Sequence, residues 1–229
     1  SDPQIPVALI DRLPTFANPD LVEEVTVKAV VSPSGDARIT FRLPLRGGQA
    51  EQLLERVDSV PSDQIAMIYR QMAVSLFPGA DEVSGEIERG DGGAVILLDL
   101  TAPRACEEED GDLVCRSLVL SNPVVPVLAS LPERRYPLVL RLPIERRLQL
   151  DLVAPDGWSV AARPPRRLST ELGSVEETLS TADGAQTSML HILIPPQRVE
   201  PADYAAFARF CQALDELTTR PPRLETLSR

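Results

Sequence analysis

Along residues 37–45, apolar and polar side chains alternate: Ala37, Ile39, Phe41, Leu43 and Leu45 fall on one side, Arg38, Thr40 and Arg42 on the other. Successive side chains of an extended chain point to opposite faces, so a period of two predicts a strand with one buried face. The preceding run VTVKAVV is apolar too, and SPSGD separates the two with turn-forming residues. Together they predict a hairpin. In GGQAEQLLERVDS, Leu53, Leu54 and Val57 share one side of a short predicted helix. A stronger helix is expected after Pro61, with Ser62 as N-cap, Ile65, Ile68, Met72 and Leu76 at helical spacing, and Pro78-Gly79 as its stop. EVSGEIER and AVILLDL, across GDGG, predict two more strands, with Ala94, Ile96, Leu98 and Leu100 lining one side. LVCRSLVL is expected to add another strand.

The second half repeats the strand pattern. Leu138, Leu140 and Leu142, then Leu148, Leu150 and Leu152, mark two alternating strands, and PDGW marks a turn before Trp158. SVEETLS and QTSMLHILI predict a further pair around Ala182-Asp183-Gly184. A final helix is expected from near Pro201, a favoured first position, placing Tyr204, Phe207, Cys211 and Leu214 on one face before a last short strand or tail, RLETLSR. The Pro-rich stretch SNPVVPVLASLPERRYP between the halves favours two domains, 1–121 with an internal helix and 122–229 as a β-sandwich-like domain ending in a helix. The expected class is α+β, mainly β: two antiparallel β-rich domains, each with one helical segment.

Composition narrows the function. With 43% hydrophobic and 25% charged residues the chain has enough apolar surface for a soluble globular core, and no apolar run approaches the roughly 18–20 residues of a membrane span. The formal charge of −11 argues against nucleic acid, whose phosphates would be repelled. Lys28 is the single lysine, so the cationic chemistry rests on arginine. Clusters at Arg134-Arg135, Arg146-Arg147 and in RPPRR (Arg163, Arg166, Arg167) have the forked geometry that binds carboxylate or phosphate.

Several segments resemble a known family. SPSGDARITFRLPLRG, AVSLFPGADEV, ERRYPLVL, PDGWSV and VEPADYAAFARF are similar to the β-rich domains of uncharacterised function that follow the transglutaminase-like core of bacterial envelope proteins, with coverage from about residue 25 to the end. The resemblance implies a non-catalytic companion domain in the periplasm or at the cell surface. Its implied partners are a transglutaminase-like core in the same polypeptide and an envelope protein or glycan.

Candidate chemistry is sparse. A cysteine-peptidase triad would have to use His191, the single histidine, with Cys211 and Asp215; yet Cys211 sits on the apolar stripe of the last predicted helix, where burial makes a thiol inert, and His191 reads as a strand residue at an edge or a satisfied core position. No Gly-rich phosphate loop, nucleophile elbow or zinc helix occurs, and no catalytic residue, metal or cofactor is expected. A zinc set of Cys106, Cys115, His191 and Cys211 is arithmetically available, but its Cys-x8-Cys spacing is wide. The acidic run CEEEDGDLVC offers Glu107, Glu108, Glu109, Asp110 and Asp112 as calcium oxygens without the alternating spacing of a calcium loop. A Cys106–Cys115 disulfide across a hairpin is the favoured special role; it needs an oxidising compartment, in line with the resemblance. A carbohydrate- or peptide-binding module is the alternative function, with Trp158 as stacking residue and Arg163, Arg166 and Arg167 as anion contacts.

Overall fold

The computed structural model describes residues 22–90, 93–120, 122–182 and 184–227. The predicted hairpin is β1 (Val22–Val31) and β2 (Ala37–Arg46), with Val25, Val27, Ala29, Ala37, Ile39 and Phe41 buried in the expected alternation. Helices α1 (Gly47–Asp58) and α2 (Ser62–Leu76) follow, then β3 (Asp81–Gly90) and β4 (Gly93–Ala102). The acidic run forms its own small hairpin, β5 (Glu107–Glu109) and β6 (Asp112–Val114). Beyond it the expected LVCRSLVL strand gives way to a 3₁₀ turn at Arg116–Leu118 and a one-turn helix, α3 (Val125–Leu128). The rest is β7 (Leu138–Leu140), β8 (Ile144–Val153), β9 (Trp158–Val160), β10 (Arg167–Thr170), β11 (Gly173–Ala182), β12 (Ala185–Ile194), β13 (Gln197–Val199), α4 (Tyr204–Thr218) and β14 (Arg223–Thr226). An α+β, mainly β class holds, although each half carries two helices rather than one, α1 and α2 in the first, the one-turn α3 and α4 in the second.

The division into 1–121 and 122–229 does not divide the structure. One eight-stranded sheet runs in the order β10-β11-β12-β8-β1-β2-β4-β3, and its halves join where β1 pairs with β8 from Val22↔Glu145 to Val30↔Val153. That pairing is parallel, within a sheet expected to be antiparallel throughout. More than a hundred residues separate the two strands, which gives the crossover a parallel pair requires. Apolar residues of both halves then share one core, because Val25, Val27 and Ala29 stand beside Leu148, Leu150 and Leu152 on the same face. A four-stranded sheet, β5-β6-β14-β9, also draws on both halves.

The helices and the small sheet cover one face of the large sheet. The inward stripe of α2 is Tyr69, Met72 and Ala73, continued by Phe77; Leu76, expected inside, is 38% exposed. Glycine sets that rotation: the Tyr69 ring lies where a Cβ on Gly85 of β3 would stand, 2.5 Å away, and Phe77 meets Phe41 edge-on at 6.1 Å. Pro61, not Ser62, is the N-cap, with Gln64 N–H donating to Pro61 O at 2.9 Å to close the first turn. Helix α4 begins three residues after Pro201, which lies in the preceding turn, and buries Tyr204, Phe207, Phe210, Cys211, Leu214 and Thr218. The opposite face of the sheet, with Lys28, Arg38, Thr40, Asp99 and Met189, is exposed among the described residues.

Candidate functional site

Strand alternation puts Glu177 on the core face. Val175 and Glu177 of β11 point the same way, toward Ile192 and Leu190 of β12, and Glu177 is only 1% exposed. A carboxylate there persists only if paired and hydrogen-bonded. Arg163, held extended by Pro164 and Pro165, supplies a two-pronged pair: Nη1 to Oε2 at 2.5 Å and Nη2 to Oε1 at 2.6 Å. Ser188 Oγ donates to Oε1 at 2.6 Å, and the Arg166 backbone N–H to Oε2 at 3.0 Å. Burial alone would raise the Glu177 pKa; the hydrogen bonds from Arg163, Ser188 and the Arg166 amide outweigh it and hold the carboxyl at about 2. Arg166 sends its terminal nitrogens elsewhere, to the carbonyls of Thr218 and Arg220, both at 3.2 Å, where they meet the negative end of α4.

Beside this network is a cavity of about 40 Å³. Its floor is Leu148, Leu150, Leu152 and Leu190, and its polar wall is Arg163, Arg166, Gln186, Ser188, Thr218 and Arg220. Thr218 Oγ1 is buried without a hydrogen-bond partner, and so is Arg166 Nε, which lies in a longer ion pair 3.5 Å from Glu177 Oε2.

The four residues expected as a binding set do not form one. Arg163 and Arg166 reach this cavity, where the carboxylate that fills the Arg163 fork is the chain's own Glu177. Arg167 is exposed on the edge strand β10, in register with Glu176. Trp158 is half-buried in β9 beside Thr226, packed against the core. Sequence reasoning missed Glu177, Ser188, Thr218 and Arg220; the one available signal was a glutamate at an inward position two residues after Val175.

The thiol and imidazole lie on opposite faces of the sheet. Cys211 is buried under α4, its pKa pushed up to about 12 by burial and by the nearby Asp215 carboxylate. His191 is neither at an edge nor in the core. It projects from the interior strand β12 to the exposed face, its Nε2 3.0 Å from Glu145 Oε1. Arg147 bridges Glu145 at 2.8 Å and Glu24 at 3.4 Å. Burial pushes the Glu145 pKa up, but the contacts from His191 and Arg147 prevail and lower it. Asp215 does not orient an imidazole: its carboxylate accepts the backbone N–H of Val124 at 2.7 Å and Val125 at 2.9 Å, capping α3.

Cys106 and Cys115 form the expected disulfide, and they bracket the β5–β6 hairpin rather than the mouth of a long one. The bridge is buried, and its strand ends are fastened by Cys106 N–H to Gly35 O at 2.8 Å and Cys115 N–H to Pro222 O at 2.9 Å. Gly35, at φ +83°, has Cys106 O 2.1 Å from where a Cβ would stand, so no larger residue fits. The acidic side chains diverge: Glu109 and Glu107 face Arg116, and Asp112 lies 3.9 Å from Arg223. No group of three or more metal-ligating side chains converges among the described residues.

Residues 116–221, just under half of the chain, match a family model described as a domain of unknown function with a solved structure, DUF3858. No curated protein matches the chain. Among solved structures, it is similar to a protein of Parabacteroides distasonis ATCC 8503 described as a "putative protease", at 17% identity and a TM-score of 0.41. The match covers 52% of this chain and 24% of that one.

Proposed function

We propose that this chain is a non-catalytic structural or interaction module of a longer extracytoplasmic protein, accompanying a transglutaminase-like core and positioning it or binding an envelope partner. The observation that carries the reading is the separation of its reactive groups. The sheet stands between Cys211 and His191, and Asp215 is committed to capping α3. The buried disulfide, at home in an oxidising compartment, supports placement in the periplasm or at the cell surface, and no helix among the described residues is long and apolar enough to cross a membrane.

Thiol chemistry tests this. The oxidised, unfolded chain has one titratable thiol and the reduced chain three; in the native chain Cys211 stays silent to alkylation until denaturant is added. Rapid native alkylation of Cys211, or peptide cleavage or cross-linking lost in Cys211→Ala, would overturn the non-catalytic assignment.

A further inference from the structure

We propose that the leucine-floored cavity at the C-terminal end of α4 is a binding site for a carboxylate carrying a short apolar group, its head held by Arg166, Arg220 and Thr218. Charge comes first. Three guanidinium groups line the cavity, no acidic side chain does, and the one carboxylate in contact with them, Glu177, is already saturated. Arg163 spends both terminal nitrogens on Glu177, whereas the Arg220 guanidinium has no partner among the described residues. An uncompensated positive centre in a chain of net charge −11 is local, built by the fold rather than by composition.

Hydrogen-bonding capacity comes next. Thr218 is 2% exposed and its hydroxyl is unpartnered, and the buried Arg166 Nε–H makes no hydrogen bond, its one contact being the long ion pair to Glu177 Oε2 at 3.5 Å, so the wall holds one open hydroxyl and one weakly engaged donor. Leaving such groups unmade inside a protein is costly, and a ligand oxygen would satisfy them. Both are neighbours of Arg220, because Arg166 Nη1 and Nη2 bind the Thr218 and Arg220 carbonyls. A carboxylate suits paired guanidinium donors best. Size and floor set the rest. About 40 Å³ is room for on the order of three waters or an acid of acetate to propionate size, and Leu148, Leu150, Leu152 and Leu190 favour an apolar tail over water alone. The carboxylate can come from a free short-chain acid or from the end of a peptide.

Titration calorimetry on the whole chain distinguishes these, with sodium propionate, sodium chloride and a short peptide ending in leucine, free or amidated. Saturable propionate binding, absent with chloride and weakened about tenfold or more in Arg220→Gln, is expected. Thr218→Val weakens binding too, yet leaves the unliganded chain as stable or more so, since it removes an unsatisfied hydroxyl. Near-UV circular dichroism checks that both variants fold. Tighter binding of the free-carboxyl peptide, with the amidated form silent, identifies a chain terminus; tighter propionate identifies a small acid. Flat titrations with every carboxylate, equal binding of chloride, or binding unchanged in Arg220→Gln would overturn the site, and none of these outcomes bears on the thiol test above.

Discussion

Glu177 and Glu145 lie on opposite faces of the same sheet, each bound to arginine, and they do different physical work. Glu177 is buried with a two-pronged arginine, a hydroxyl and a backbone amide, so the loop 161–166, β11 and β12 are held by one carboxylate, and Arg166 carries the network on to the end of α4. Glu145, with a side chain 20% exposed, contacts His191 and Arg147, whose own side chains are 41% and 56% exposed. Desolvation makes the first network costly to assemble and still costlier to leave incomplete, whereas solvent can replace any member of the second. Equal residue types therefore do not mean equal roles: one network organises the fold, the other decorates an exposed surface.

The strongest way to break this contrast is Glu177→Ala, which leaves Arg163 and Arg166 without their counter-charge. An unfolding free energy lower by about 3–5 kcal/mol is expected in chemical denaturation. Acid should act on the same group. Its folded pKa, about 2, lies below the ordinary 4.5, so its stabilisation is complete above about pH 4.5, shrinks as pH falls, and is gone below about 2. Melting curves of the parent chain and Glu177→Gln should converge across that window; parallel curves would separate the carboxylate from acid stability. The smallest effect belongs to Glu145→Gln, a loss of about 0.2–1 kcal/mol that fades as salt is added. A larger, salt-independent loss there would erase the distinction between the faces.

Local patterns carried much of the architecture. The alternation of residues 37–45, the leucines of β8 and the split of Met189 and His191 from Leu190 and Ile192 all read directly as strands with assigned faces, because a period of two is a property of the extended chain itself. Legibility failed where a distant element decides. Alternation with Val175 marks Glu177 as inward, but nothing in SVEETLS says that Arg163 will be its partner, since fourteen residues and a turn separate them. The inward rotation of α2 depends on Gly85 in a strand not yet formed, and Asp215 meets the Val124 amide across ninety-one residues.

What the sequence by itself determined is the class of the fold, the faces of most strands and the pairing of Cys106 with Cys115, which hairpin closure brings together over a short loop. Only the tertiary structure decided that two apparent domains are one sheet, joined by the parallel β1–β8 seam, and that Cys211 and His191 are kept on opposite sides of it. The physical reason is range. Side-chain direction along a strand is set within a few residues, but strand order and the meeting of charges across a core depend on which long-range burial wins when the whole chain collapses.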